Sequence, residues 1–142
     1  MGRVINTDSP GKKRNQLMRT SAELLRRLSQ KQDIDNDTRN MLALLYYCLK
    51  EIESGIDDSA RAWEKRDYWM KSEEFRQRWR WAGEMGDELG ELIRNEQWQG
   101  LPGMMAKLFP KFSDITVNKL TRKASLWEGC YDRFIEEHSD KT

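Results

Sequence analysis

A seven-residue repeat of large apolar side chains constrains the fold of this chain more than any other feature of its sequence. The repeat comprises Leu42, Leu49, Ile56, Trp63 and Met70, with Leu45 and Ile52 between its members. Such spacing forms one apolar stripe along a helix and favours packing against a neighbouring helix. The sequence therefore predicts a long amphipathic helix that begins after the acidic turn at residues 33–37.

A capping signal and a second apolar stripe predict an earlier helix. Ser9 followed by Pro10 is typical of a helix start, because serine accepts a bond from a free backbone N–H and proline has no N–H to leave unpaired. The stripe that follows consists of Leu17, Ser21, Leu24 and Leu28. Its period predicts a helix that ends near Gln32.

The third apolar stripe is out of phase with the seven-residue repeat. It runs through Phe75, Trp79, Ala82, Gly86, Leu89 and Ile93. A straight helix drifts by roughly 20° per heptad, whereas this stripe is turned by about 100° from that course. The difference predicts a chain reversal close to Lys71 and Ser72, with Ser72 as the cap of a third helix. A break at Gly55 is the alternative.

Three glycines in the predicted third helix indicate close packing. Gly83, Gly86 and Gly90 each cost about 1 kcal/mol relative to alanine in a helix interior. Close approach of another backbone along that side would explain their presence.

Two shorter helices are predicted near the C-terminus. Leu101 to Leu108 fits two turns stopped by Pro110, and an extended loop is expected to follow. Ser125 and Glu128 match the S-x-x-E capping box and predict the start of the last helix.

The expected fold is all-α, since 142 residues suit one core. We predict a single-domain antiparallel helical bundle with three main helices and two short C-terminal helices. Residues 10–138 form this bundle domain, residues 1–9 an N-terminal arm, and residues 139–142 a C-terminal tail.

Charge is distributed in blocks, although the formal net charge is only +1. Residues 1–31 carry +6 and residues 101–123 carry +4, while residues 32–60 carry −5 and residues 82–100 carry −4. One interpretation is that helices of alternating sign neutralise one another within the bundle. The other is that the basic blocks bind an anion.

The first turn of the first helix favours the second interpretation. Lys12, Lys13 and Arg14 lie where cations are unfavourable, because backbone N–H groups already point outward there. A bound phosphate would reverse that cost, and Gly11 would allow its close approach. The alternative is a helix that begins near Asn15 or Gln16 and leaves a flexible cationic arm, which is a common nucleic-acid contact.

Residues 61–81 combine seven basic with six aromatic residues, a mixture that suits single-stranded nucleic acid. Three of these aromatics fall on core stripes and are expected to be structural. The three candidates for an exposed stacking or partner surface are Tyr68, Trp69 and Trp81. Trp81 also shares a second apolar stripe with Met85 and Leu92, which either other helices cover or a partner binds.

The sequence contains no catalytic or cofactor motif, since phosphate-binding loops, dinucleotide fingerprints and nucleophile elbows are all missing. Its only histidine, His138, is expected to be solvated. Cys48 and Cys130 lack further ligands at metal-binding spacing, so we expect two reduced core thiols. No apolar run is long enough to span a bilayer, and no secretory signal is evident. We therefore expect a cytoplasmic protein that is not an enzyme and uses neither metal nor cofactor.

Together these features predict a binding protein that engages a phosphate-rich partner, with nucleic acid as the leading candidate. The predicted contact residues are Arg3, Lys12, Lys13, Arg14, Arg19, Lys119, Arg122 and Lys123. The alternative is a protein-interaction or scaffold module, which could be homo-oligomeric. One continuous face formed by the two most basic blocks would favour nucleic acid, whereas acidic helices covering those blocks would favour the scaffold.

Overall fold

Five α-helices build the part of the chain that the computed structural model describes, residues 9–139. They are α1 (Pro10–Ser29), α2 (Asn36–Glu64), α3 (Trp69–Arg94), α4 (Leu101–Leu108) and α5 (Cys130–Glu137). No strand lies within these residues, and the predicted fold class of three main and two short C-terminal helices is confirmed. Arg3, with the rest of residues 1–8, and residues 140–142 lie outside the described range.

α2 lies at the centre of the bundle, where α1, α3 and α5 pack against it. The predicted apolar repeat supplies its buried side chains. These are Leu42, Leu45, Leu49, Ile52 and Ile56. After α3 the chain passes through α4 and a 3-10 turn (Phe109–Phe112) to reach α1, and an extended segment then leads to α5.

The glycines of α3 pack closely against α2, and the atoms nearest to them belong to side chains rather than to the backbone that was predicted. Gly83 lies against Glu53, Gly86 against Leu49 and Lys50, and Gly90 against Tyr46. Residue numbers rise along α3 while those of the partners fall along α2, so the two helices are antiparallel.

The reversal between α2 and α3 comes earlier than the phase argument predicted. α2 ends at Glu64 and α3 begins at Trp69, so the predicted cap at Ser72 is wrong. Ser72 is buried inside α3, where its hydroxyl donates to the Glu64 carboxylate. Met70, which the repeat assigned to α2, lies in α3 with 82% of its surface exposed.

A Schellman motif closes this reversal without any side-chain cap. The N–H of Tyr68 donates to the carbonyl of Trp63 at 2.9 Å, and the N–H of Asp67 donates to that of Glu64 at 3.0 Å. Asp67 adopts the left-handed conformation that the motif requires, with φ of 65°. The phases of the apolar stripes predicted that the chain reverses in this region but not where the turn lies. The left-handed position holds Asp67 instead of the glycine that usually marks such a turn.

α5 also begins later than predicted. Ser125 lies in a 3-10 turn (Ala124–Leu126), and Gly129 precedes the helix with a left-handed φ of 78°. The predicted capping box of Ser125 and Glu128 is therefore wrong. The turn is fixed instead by buried Trp127, whose indole N–H donates to the Asp37 carboxylate at 2.7 Å.

Alanine substitutions at two helical glycines should change stability in opposite directions. In Gly90→Ala, a Cβ would lie 2.8 Å from Cε1 of Tyr46, whose ring packs on Phe134 and whose hydroxyl bonds His138. We expect a loss of about 1 kcal/mol, because overpacking outweighs the gain in helix propensity. In Gly55→Ala, nothing lies within 4 Å of the new Cβ, and we expect a gain of about 1 kcal/mol.

Urea denaturation followed by far-UV circular dichroism measures both free energies of unfolding. Equal stabilisation by the two substitutions would contradict the close packing of α3 on α2 at Gly90.

Candidate anion-binding face

The basic first turn predicted from the sequence is present at the start of α1. Ser9 caps the helix, and its hydroxyl accepts the N–H of Lys12 at 3.1 Å. The helix therefore starts at Pro10, and the alternative start near Asn15 is wrong. The turn holds no acidic residue, and both Lys12 and Lys13 are exposed.

Arg14 has a structural contact that the sequence did not predict. Its guanidinium carbon lies 5.1 Å from the ring centroid of Phe75 and 5.4 Å from that of Trp79, both on α3. Burial lowers the pKa of Arg14 from its ordinary value. Arg14 thus links α1 to α3 by cation–π contacts, and Lys12 and Lys13 are the more accessible cations of the turn.

A buried carboxylate fixes the C-terminal basic segment to α1. Glu23 is only 2% exposed, and it accepts the N–H of Thr121 at 2.9 Å and that of Arg122 at 2.6 Å. The Thr121 hydroxyl donates to the same carboxylate at 3.2 Å. The guanidinium groups of Arg27 and Arg122 lie 3.5 and 3.8 Å away. Three residues, Thr121, Arg122 and Arg27, therefore satisfy the charge and the lone pairs of one buried group.

These bonds also determine the ionisation of Glu23. Burial is the largest influence and by itself raises the pKa, because it penalises the charged form. The N–H groups of Thr121 and Arg122, the Thr121 hydroxyl and the Arg122 charge together outweigh it. The pKa of Glu23 is lowered below its ordinary value of 4.5, and the carboxylate is ionised at neutral pH.

Two arginines of α1 extend the attachment along the segment. Arg26 donates to the carbonyl of Val117, and Arg27 donates to the carbonyl of Arg122 at 2.9 Å. Ile115 and Val117 pack against the hydrophobic core at the same time. Residues 115–123 thus follow α1 in an extended path, as the sequence predicted for this loop.

The attached segment brings predicted site residues from both ends of the chain together. Arg19 of α1 lines one depression with Lys119 and Arg122, and Glu23 is the one carboxylate among the described residues that line it. Lys12 precedes Arg19 by seven residues, so the two share one side of α1, about 10 Å apart. We call this surface the basic face. It consists of Lys12, Arg19, Lys119 and Arg122, with exposed Lys123 next to Arg122 in the attached segment.

One predicted cation, Lys13, lies outside the basic face, and another, Arg122, lies on it but is bonded to neighbouring residues. Lys13 lies at a separate depression lined also by Glu51 and Asp58 of α2. The guanidinium of Arg122 donates to the hydroxyls of Thr20 and Thr121, both at 3.1 Å. Arg122 therefore holds the segment in place, while Arg19, Lys119 and Lys123 are exposed.

An acidic surface lies on the C-terminal half of α3. Its exposed carboxylates are Glu84, Asp87, Glu88 and Glu91. Lys107 of α4 reaches this surface and pairs with Glu88 at 2.6 Å. The basic and acidic side chains thus occupy different surfaces, although the Glu88 carboxylate neutralises Lys107 of the basic 101–123 block.

The aromatic candidates divide into exposed and packed residues. Tyr68 and Trp69 are 49% and 61% exposed, as predicted. The prediction for Trp81 is wrong, because its half-buried ring packs edge-on against Phe112 at 5.6 Å. Leu92, on the same second stripe, is buried. The following elements therefore cover this stripe, as the first alternative proposed.

His138 is held in place rather than solvated. Its Nδ1 lies 2.8 Å from the carbonyl of Phe134, which can only accept, so Nδ1 carries the proton. Its Nε2 lies 3.0 Å from the Tyr46 hydroxyl, from which it accepts when the ring is neutral. Both nitrogens of this tautomer have partners, and His138 is structural.

The cysteines are free and buried, as predicted. Burial raises the pKa of Cys48 to about 12, so its thiol stays protonated at neutral pH. Within residues 9–139, no group of three or more histidine, cysteine or acidic side chains is placed to hold a metal ion.

Sequence reasoning missed the function of Glu23. It is the single carboxylate of α1 among six cations, and that isolation is the signal that could have identified it.

No protein family, curated protein or solved structure matches the chain. None of the helices among the described residues has the length and apolar character needed to cross a membrane.

Glu23→Gln should release residues 115–123 from α1. Hydrogen bonds to a charged group contribute about 1.5–3 kcal/mol, so we expect the free energy of unfolding to fall by about 2 kcal/mol at pH 7. Trypsin should also cleave the native variant faster after Lys119 and Lys123. Urea denaturation and timed proteolysis, with exposed Glu51→Gln as the control, measure these effects.

The stability difference between wild type and Glu23→Gln should depend on pH. The folded pKa of Glu23 is lowered, so its contribution is complete above pH 4.5 and is lost as pH falls through the folded pKa. We expect the difference to be constant above about pH 5.5 and to shrink at lower pH. A difference that stays constant down to pH 3 would contradict the role of the ionised carboxylate.

Proposed function

We propose that the protein is a non-enzymatic binding protein that engages nucleic acid through its basic face. One observation carries this proposal. The 115–123 segment lies on α1, so cations from the two most basic blocks share one surface instead of being covered by an acidic helix. Such a surface is the electrostatic footprint expected for contact with a phosphate backbone.

The attachment of the segment suits this role because it fixes the cations in advance. Lys119 and Lys123 flank the two residues whose backbone Glu23 binds. Less conformational entropy is lost on binding when the chain that carries the cations is already ordered. The proposal is therefore for a preorganised surface rather than a flexible basic tail.

The contacts available on the basic face are of the backbone type. Lysine and arginine neutralise phosphates and release counterions, which binds without reading bases. The helices of residues 9–139 include no helix-turn-helix arrangement that would place a recognition helix in the major groove. We therefore propose binding with little sequence preference. The two free cysteines support a reducing, cytoplasmic environment.

A paired set of charge variants tests the proposal. Arg19→Gln with Lys119→Gln removes two cations from the basic face. Arg94→Gln with Lys107→Gln removes two cations elsewhere, so net charge changes equally. Each lost phosphate contact lowers the salt slope of log affinity by about 0.7–0.9, and the first pair should lower it by about 1.5 and weaken binding.

Fluorescence anisotropy of a labelled oligonucleotide at several salt concentrations measures affinity and slope. The control pair should bind like wild type. Equal losses in the two pairs would assign binding to net charge alone and would contradict a site on the basic face.

A protein-interaction module is the second candidate function. It is favoured by the acidic surface of α3 (Glu84, Asp87, Glu88 and Glu91), whose sign is opposite to that of the basic face of the same chain. Electrostatic complementarity of this kind would direct self-association. Light scattering at low salt tests it: a mass that rises with concentration in wild type but not in Arg19→Gln/Lys119→Gln would support a homo-oligomer.

A further inference from the structure

The tip of the α2–α3 hairpin, residues 65–71, exposes three consecutive large apolar side chains. Trp69 and Met70 are 61% and 82% exposed, and Tyr68 is about half exposed. Other exposed large apolar residues of the described chain occur singly, namely Phe109, Leu126 and Ile135. Single exposed residues are ordinary, whereas a contiguous group indicates a contact surface.

Backbone bonds and partly buried side-chain bonds close this tip. The Schellman motif fixes the turn around Asp67. Behind it, the Glu64 carboxylate accepts bonds from the Ser72 hydroxyl and from Arg76 at 3.3 Å, which joins the end of α2 to the start of α3. The exposed rings therefore project from a rigid support.

The aromatic rings of the tip have unequal surroundings. The Trp63 ring packs on Phe75 at 4.8 Å and lies under the Lys71 ammonium, also at 4.8 Å. Tyr68 has the Arg66 guanidinium over its ring at 5.4 Å. Trp69 has neither a ring nor a cation partner within the described part of the chain. Its indole is thus available to a ligand.

The tip is also locally cationic. Lys65, Arg66 and Lys71 are all exposed, and none of them forms a salt bridge with another described residue. Asp67 is the one carboxylate of the tip, while the nearby Glu64 is engaged with Ser72 and Arg76. Three exposed cations thus lie in the tip beside the exposed rings, with Arg66 and Lys71 already over Tyr68 and Trp63, and exposed Glu73 and Glu74 follow in α3.

The position of the tip relates it to the basic face. Arg14 contacts Phe75 and Trp79, so the first turn of α1 lies beside α3 at that level. Trp69 precedes Phe75 by six residues, which is about 9 Å along the helix. The tip therefore projects beyond the start of α1, at the end of the bundle where Lys12 lies.

We infer that this tip stacks the bases of a single-stranded nucleic acid, with Trp69 as the principal platform and Tyr68 beside it. The inference rests on the proposed function and specifies its substrate as single-stranded. Aromatic faces stack on unpaired bases while nearby cations follow the phosphates. In a duplex the same bases are stacked on one another and closed to the tip.

The experiment compares an oligothymidylate with a duplex of equal length by anisotropy. The variants are Trp69→Ala, Trp69→Phe and the control Leu126→Ala, each verified as folded by circular dichroism. Trp69→Ala should weaken single-strand binding at least about fivefold and leave duplex binding unchanged, because stacking contributes about 1–3 kcal/mol per base. Its salt slope should match wild type, since no phosphate contact is lost.

Conservative replacement separates stacking from mere bulk. Trp69→Phe retains an aromatic face and should recover most of the single-strand affinity, and Leu126→Ala should bind like wild type. If Trp69→Ala binds the single strand as tightly as wild type while Arg19→Gln/Lys119→Gln does not, the inference is overturned and the proposed function stands. An equal loss toward duplex and single strand would also overturn stacking.

A vesicle-binding measurement tests the alternative ligand, a lipid surface, because tryptophan, tyrosine and lysine also suit a membrane interface. Interfacial aromatic residues and cations also bind anionic bilayers. Failure of wild type to bind any oligonucleotide at low salt would overturn both the proposed function and this inference. Sedimentation with phosphatidylserine-containing vesicles that depends on Trp69, without oligonucleotide binding, would reassign the tip to a lipid surface.

Discussion

The buried carboxylate of Glu23 is the interaction on which the arrangement of the C-terminal third depends. Burying one carboxylate costs several kcal/mol unless its charge and lone pairs are compensated. Here two backbone N–H groups, a hydroxyl and two guanidinium groups supply that compensation. The partners lie 98 and 99 residues away in sequence, so these bonds close a loop that contains α2, α3 and α4.

Similar polar anchors continue beyond this segment. The Trp127 indole donates to Asp37, and the N–H of Tyr131 donates to the side-chain carbonyl of Asn40 at 2.9 Å. Each places a backbone or ring donor from the chain end on the first turns of α2. The short helix α5, with only eight residues, is thereby positioned on α2 by specific bonds as well as by burial of Phe134. Too short to be stable alone, it depends on this tertiary support.

The sequence predicted what depends on local periodicity and missed what depends on distant partners. Helices α1 to α4 follow from 3.6-residue stripes and a serine cap. The turn before α3 did not follow, because Asp67 adopts a left-handed conformation that glycine usually signals. Among the predicted cations, Arg14 and Arg122 have their partners on α3 and α1. Residue type alone could list these side chains but could not tell which would be engaged inside the fold.

Tyr68 and Trp69 are neighbouring exposed rings, but the fold gives a structural reason for a large side chain at only one of the two positions. In a Schellman motif, the residue after the left-handed position commonly packs an apolar side chain against the last helical turn. Tyr68 occupies that position, so the motif itself gives a reason for an apolar residue there, although the ring is half exposed. Trp69 comes one residue later, begins α3 and contributes neither a cap nor a ring contact within the described chain. The hairpin is closed by backbone bonds that do not depend on the side chain at residue 69. The geometry of the turn therefore does not account for an exposed indole there. Contact with another molecule does account for it, and Trp69 is therefore the side chain whose presence argues most directly for a ligand.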